Sequence, residues 1–237
     1  MVNSYTGLSR HYDLIMTSGY YDYDDYARTL ASVLEGWREV LELGVGTGLV
    51  CERLLALGEP GLRLTGIDHT EGMLAQARLR LAGRVRLVRQ DILQMSLPST
   101  FDAAYSVGGI WFYIRDQGDD LFCSHLLEEE HNALALRNLH AAMKPGSLLA
   151  LASQGPHHSY ERELPGGLVY AQDVRAAAGE RFVKDYYVRR QDEVVAHQRC
   201  QFRLFSRAKA TGLLERCGFR FEGTAGDGLF HLYARLP

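Results

Sequence analysis

Residues 40–48 read Val-Leu-Glu-Leu-Gly-Val-Gly-Thr-Gly, and this stretch narrows the possible folds further than any other. An apolar run suited to a strand passes through one acid into a loop with glycine at 44, 46 and 48. A helix-like run, Leu49–Leu57, follows. Glycine lets backbone approach a ligand with no Cβ in the way. Strand, glycine-rich turn and helix N-terminus, in that order, make a seat for a nucleotide-type cofactor.

The rest of the chain keeps the alternation that such a seat requires. Strand candidates are Glu39–Leu43, Arg63–Ile67, Val85–Gln90, Phe101–Ser106 and Ser147–Ser153, with helix candidates Leu49–Leu57, Gly72–Leu81 and Ser124–Met143 between them. Residues 9–35 mix tyrosine, aspartate and apolar residues and suit one or two helices. Strand–helix alternation predicts right-handed crossovers and a parallel sheet covered on both faces. Beyond residue 155 the texture changes. Gly167–Val174, Phe182–Arg189 and Glu193–Phe205 are rich in β-branched and aromatic residues, separated by Ala177–Glu180 and Gln191-Asp192. They predict a small antiparallel sheet, 155–205, inserted in a single domain, 1–237. Ser206 caps a helix, Arg207–Cys217, that stops at Gly218. Phe219–Glu222 and Leu229–Arg235 close the chain as a hairpin around Gly226-Asp227-Gly228.

Which cofactor the turn holds depends on the residues around it. A dinucleotide fingerprint places a third glycine three residues after the second, for close helix–strand packing. Counted from Gly44, that position is Leu49, and counted from Gly46 the pattern fails as well, which disfavours an NAD-dependent enzyme. No Gly-Lys-Ser/Thr is present for a P-loop. Gly66-Ile67-Asp68 ends the second strand with a carboxylate placed for a ribose diol. Arg89-Gln90-Asp91-Ile92 ends the third with a carboxylate that can accept from an adenine amino group while Ile92 packs on the ring.

Together these residues resemble the class I S-adenosylmethionine-dependent methyltransferases. The matching pieces are Val40–Gly48, Gly66–Met73, Gln90–Leu93, Phe101–Ser106 and Met143–Leu149, within 38–152. The resemblance implies an α/β, Rossmann-like fold: a seven-stranded, mostly parallel sheet whose last strand is antiparallel, with the inserted antiparallel sheet added. It implies S-adenosyl-L-methionine as cofactor. Gly44 and Gly46 would pass under its methionine part, braced by Glu42. Asp68 would take the ribose hydroxyls, His69 and Met73 would flank the adenine, Asp91 with Ile92 would take its edge, and Ser106 would face the sulfonium end.

A narrower resemblance covers nearly the whole chain. Tyr12-Asp13-Leu14-Ile15, the aromatic and acidic segment after it, the inserted sheet and Phe205–Gly218 are similar to small bacterial N-methyltransferases of glycine-like and amino-sugar substrates. Met16 stands where the sugar enzymes tend to carry a tyrosine. An amine nitrogen is therefore the expected acceptor within a small-molecule, natural-product chemistry. The alternatives are an O-methyltransferase of a carboxylic acid or hydroxyl compound, and a non-catalytic S-adenosylmethionine-binding protein.

Candidate acceptor residues lie at the carboxyl edge of the sheet. His157 and His158 are candidate bases, because only an imidazole titrates near neutral pH without a special environment; the competing reading is a pair of exposed loop histidines. Trp111 and Tyr113 are candidate walls of the acceptor site, or else core. Tyr12 is the candidate cofactor contact in the N-terminal segment and Tyr21 a candidate substrate contact. Asp13, Asp22, Asp24 and Asp25 could attract a cationic amine. The Glu128–Glu130 run reads as helix surface.

Composition limits the partners. Net charge is −3 and 23% of residues are charged, with Lys and Arg spread along the chain, so no basic face for nucleic acid is expected. No apolar run reaches the ~18 residues of a membrane span, and the N-terminus lacks the basic-then-apolar pattern of a signal peptide. Cys51, Cys123, Cys200 and Cys217 form no CxxC pair, which predicts reduced thiols in a cytoplasmic protein and no metal site. A homodimer is compatible with this composition.

Overall fold

The computed structural model describes residues 3–58, 60–116 and 118–237. Two N-terminal helices come first, α1 (Tyr12–Thr17) and α2 (Tyr23–Val33), the second capped by Asp22, whose carboxylate accepts from the Asp25 amide. The alternation then runs β1 (Glu39–Leu43), α3 (Leu49–Leu57), β2 (Arg63–Asp68), α4 (Glu71–Leu81), β3 (Arg86–Arg89) and, after a short 3-10 turn at Ile92–Gln94, β4 (Phe101–Ser106). Next come β5 (Trp111–Asp116), β6 (Asp119–Ser124), α5 (Glu129–Ala142) and β7 (Met143–Gln154). Four antiparallel strands follow: β8 (Tyr160–Leu164), β9 (Leu168–Ala177), β10 (Arg181–Arg190) and β11 (Glu193–Phe205). The chain ends with α6 (Arg207–Arg216), β12 (Phe219–Ala225) and β13 (Phe230–Arg235).

Seven strands make the main sheet in the order β3-β2-β1-β4-β7-β13-β12. The first five are parallel, and β13 runs antiparallel to both its neighbours. The closing hairpin thus supplies the antiparallel strand that the sequence implies. The central strands are buried along nearly their whole length, as expected of a sheet covered on both faces. One buried cluster packs α2, α3 and α4 on one face and continues under the antiparallel strands; the other packs α5 and α6 on the opposite face.

The antiparallel strands form a second sheet, larger than the sequence suggests. Its order from the end of β7 is β5-β6-β11-β10-β9-β8, joined to β7 through Tyr113↔Ser153 and Ile114↔Gln154. The expected helix Ser124–Met143 is shorter, beginning at Glu129, because 111–124 is a hairpin. Residues 111–114 are buried on both faces, so Trp111-Phe112-Tyr113-Ile114 shows no polar alternation to mark a strand. Glu129 and Glu130 occupy the first turn of α5, where carboxylates suit the helix dipole.

Among the described residues no helix is long and apolar enough to cross a membrane.

Candidate active site

The glycine turn is held open by β2. The amides of Gly44 and Val45 both donate to the Ile67 carbonyl at 2.9 Å, and the Gly46 amide donates to Asp68 Oδ2 at 3.0 Å. Gly44, Gly46 and Gly48 have φ of +73°, +56° and +83°, a region that side chains strain to enter. A Cβ on Gly44 would lie 2.7 Å from Gly109 Cα, and one on Gly109 would run into the Leu43 carbonyl. The chain after β4 therefore passes directly over the turn.

A cleft opens at the carboxyl ends of β1, β2, β3 and β4, with about 640 Å³ of empty space. The crevice outside the strand ends is where open α/β sheets bind ligands. The structure brings together here Tyr12, Gly44, Gly46, Asp68, His69, Met73, Asp91 and Ile92, all anticipated from the sequence. Asp68 Oδ1 also accepts from the Thr70 amide at 2.8 Å, so both carboxylate oxygens are fixed from behind. Asp91 Oδ1 accepts from the Leu93 amide at 2.9 Å and caps the 3-10 turn.

Glu42 lies beneath the turn, on a small adjoining cavity it shares with Tyr12, Gly44 and Gly46. Its Oε2 accepts from Cys51 Sγ at 2.8 Å and from the Tyr105 hydroxyl at 3.0 Å. Burial pushes its carboxyl up to about 7, against the pull of those two bonds. Tyr12 is half-buried above the turn, and desolvation raises its phenol. Asp13 beside it is bound by Thr47 Oγ1 at 2.5 Å and by Arg80, which ties α1 to the turn and to α4.

Four expectations need correction. Ser106 is fully buried and its Oγ donates to the Leu43 carbonyl at 3.4 Å, so it supports the crossing and does not line the cleft. Gly108 and Gly109 reach the cleft in its place. Trp111 and Tyr113 line no acceptor cavity. Trp111 Nε1 donates to Asn132 Oδ1 at 2.8 Å, and Tyr113 meets the Tyr233 hydroxyl and stacks on His231, in the cluster under α5 and α6. The N-terminal carboxylates are engaged elsewhere: Asp13 as above, Asp22 as a cap, Asp24 by Arg53 at 2.8 Å, and Asp25 by Arg28 at 3.7 Å. They offer a cationic amine no free acid.

Tyr21, His157 and His158 line a second cavity, also with about 640 Å³ of empty space, between the α1–α2 connection and the end of β7. The Tyr21 hydroxyl donates to Gln154 Oε1 at 2.8 Å, and His157 Nε2 lies 3.0 Å from the same oxygen. A carbonyl oxygen only accepts, so Nε2 carries the proton and the buried Nδ1 is an acceptor without a partner. Burial holds the His157 imidazolium well below its usual range, with Lys184 acting in the same direction. His157 is therefore neutral and a weak base. His158 is exposed.

No motif or spacing in the chain marks His125. It follows β6 at the edge of the cleft, 6% exposed, with Asn3 Nδ2 2.9 Å from its Nδ1. That contact puts the proton on Nε2, a buried donor with no partner. Burial lowers its pKa to about 3. Gly108 of the cleft packs against Gln154 of the second cavity, where a Cβ on Gly108 would lie 2.8 Å from Gln154 Nε2, another buried donor without a partner, so these two residues separate the two spaces.

Residues 40–146 match the family model described as "Methyltransferase domain". The matched stretch is the part of the chain that carries the glycine turn and the strand ends around the cleft. An uncharacterised methyltransferase of Geobacillus sp. (strain WCH70) is 36% identical to it over 96 residues, 40% of this chain and 43% of that protein. A trans-aconitate 2-methyltransferase of Paracidovorax citrulli (strain AAC00-1) is 31% identical over 159 residues, 62% of this chain and 54% of that protein. The chain spans about half the length of the curated relatives it matches. In fold, the chain is similar to a sugar N-methyltransferase from Streptoalloteichus sp ATCC 53650. The TM-score is 0.73 at 18% identity, over 95% of this chain and 93% of that one.

Proposed function

We propose that the chain transfers a methyl group from S-adenosylmethionine to a small-molecule acceptor, with an amine nitrogen as the receiving atom. The observation that carries this reading is the convergence of Gly44, Gly46, Asp68 and Asp91 on one cleft at the strand ends. The residues present fit the cofactor. A side chain at Gly46 would project into the cleft, with only Met73 Cε, at 3.8 Å, near its Cβ. The turn is therefore a cradle that any larger residue would fill. Asp68 and Asp91 each keep lone pairs free toward the cleft for hydroxyl and amino donors.

In this reading Gly44 and Gly46 hold the methionine part, Asp68 the ribose, and Asp91 with Ile92 the adenine edge. His69 and Met73 flank the ring, Tyr12 covers the turn, and Glu42 braces it. When bound, S-adenosylmethionine supplies a sulfonium-activated methyl group. The protein's part is orientation and exclusion of water. His125 Nε2–H and Gln154 Nε2–H are donors placed to orient the acceptor beside Gly108, and His157 Nδ1 is the matching acceptor. The strands at 155–205 form the far wall of the acceptor cavity.

Methyl transfer to oxygen is the second reading. It is favoured by the identity to a trans-aconitate 2-methyltransferase and by a second cavity lined by no Asp or Glu. Calorimetry with S-adenosylhomocysteine and with NAD tests the cofactor, and labelled methyl donor offered with amino sugars, amino acids and carboxylic acids tests the acceptor. Binding of NAD and not S-adenosylhomocysteine would overturn the proposal. Cofactor binding with no transfer to any acceptor would favour a non-catalytic protein.

A further inference from the structure

The second cavity has an unbalanced charge. Its wall includes Tyr20, Tyr21, Gln154, His157 and Arg162, and no carboxylate. The half-buried Arg162 guanidinium donates to the Ser18 carbonyl and lies over the Tyr160 ring at 5.8 Å, with no ion pair among the described residues. Lys184, on β10 directly behind Tyr20, is fully buried. Its Nζ donates to the Tyr20 hydroxyl and sits 5.0 Å and 4.9 Å from the Tyr20 and Tyr186 ring centres. It too has no carboxylate partner among the described residues, and it faces Cys200 across the strand pair. Asp185, the next residue, points to the opposite face, where Arg175, His197 and Arg199 bind it.

A buried cation without a counter-charge destabilises a fold. Burial accordingly lowers Lys184 to about 7. The half-buried Arg162 in the cavity wall and the buried Lys184 behind Tyr20 both lack a carboxylate among the described residues, and Gln154 Nε2 in the wall is a donor without a partner. The site is therefore one that a ligand would complete, while His157 Nδ1 would take a donor of that ligand. The geometry points to an anion. The guanidinium fork suits the two oxygens of a carboxylate, and a lysine on a hydroxyl makes that hydroxyl a stronger donor.

We propose that the methyl acceptor carries a carboxylate, which Arg162 receives directly while Lys184, as a positioning residue, strengthens the site through the Tyr20 hydroxyl. This rests on the methyl-transfer reading and narrows its substrate class to small acids, amino acids included. The acid would be anchored in the second cavity, and its receiving atom would reach the cofactor cleft past Gly108 and His125.

The test uses the whole chain saturated with S-adenosylhomocysteine. Citrate, glutamate, glucosamine and inorganic phosphate are each titrated by calorimetry, and the first three are offered as acceptors with labelled methyl donor. The expected result is binding of a carboxylate, weakened about tenfold or more in Arg162→Gln by loss of a charged hydrogen-bonded partner and partly restored in Arg162→Lys. Lys184→Met, close in length and able to pack among the tyrosines, should weaken carboxylate binding by a smaller factor. All three variants should leave S-adenosylhomocysteine affinity unchanged. The proposal is overturned if glucosamine or phosphate binds and neither acid does, if nothing binds, or if Arg162→Gln leaves acid affinity unchanged. Failure of S-adenosylhomocysteine to bind while an acid still binds in an Arg162-dependent way would instead overturn the methyl-transfer reading.

Discussion

The Asp68 carboxylate holds the Gly46 amide at 3.0 Å, so the residue assigned to the ribose also sets the shape of the turn assigned to the methionine part. One side chain couples two halves of a single cleft. Asp68→Ala should therefore weaken S-adenosylhomocysteine binding by about 1–3 kcal/mol, the range for hydrogen bonds to a charged group. Asp68→Asn, which keeps one acceptor oxygen, should lose less. Calorimetry measures both, and wild-type affinity in Asp68→Ala would remove the ribose assignment.

The crossing of Gly109 over Gly44 is a packing constraint with its own consequence. A methyl group on Gly109 meets backbone, the Leu43 carbonyl on one side and Gly44 on the other, and backbone here cannot move without opening β1 from β4. Gly109→Ala should cost about 2 kcal/mol or more of stability, as overpacking against fixed atoms does. Gly155, whose φ lies outside the left-handed region and whose Cβ position has no atom within 4 Å, is the control. Urea unfolding of the two alanine variants should show the larger loss at Gly109; equal losses would mean that the close approach is not what the site requires.

What the sequence made legible was set by local signals. The parallel strands β1, β2 and β4 end where apolar runs meet Gly44, Asp68 and Ser106, so their carboxyl edge, and with it most of the cofactor cleft, could be placed residue by residue. The hairpin at 111–124 left no such trace, because 111–114 and 122–124 are buried on both faces and alternation vanishes there. Trp111 and Tyr113 were consequently expected at a wall when they belong to the core. His125 was hidden with the hairpin that positions it. Arg162 and Lys184 carry meaning only because the sheet topology brings residue 184 against residue 20, a relation no spacing along the chain encodes.

Glu42 gives the fold a pH dependence whose sign follows from its burial. Its folded value, about 7, stands above the ordinary 4.5. Between those values the folded protein keeps a proton that the unfolded chain has released, so this contribution is full below pH 4.5 and is lost as pH rises to 7. The difference is on the order of 3 kcal/mol. Glu42→Gln, whose carbonyl can still accept from Cys51 and Tyr105, should lack this slope. Urea unfolding at mildly acidic and mildly alkaline pH compares the two proteins, and an unchanged slope in the variant would exclude Glu42 as its source.

His125 allows a sharper test, because its role in transfer and its role in packing separate. Burial lowers its pKa to about 3, so it is neutral at any pH where methyl transfer would be assayed, and its Nε2–H donor at the cleft has no side-chain partner. His125→Phe keeps an aromatic ring against Phe202 and Tyr5, slightly larger than the imidazole, and removes both ring nitrogens, the Nδ1 that meets Asn3 included. We expect kcat to fall roughly tenfold to a hundredfold, the scale of one oriented donor lost, with S-adenosylhomocysteine affinity nearly unchanged. The wild-type pH–rate profile should show no limb near 6.5 from this residue. Stability carries the opposite sign from Glu42: an imidazole depressed in the folded state makes the protein lose stability as pH falls below 6.5 toward 3, and His125→Phe should lose less over that range. A variant with wild-type kcat, or one whose kcat falls only as far as its cofactor affinity, would show that His125 packs the cleft without orienting the acceptor.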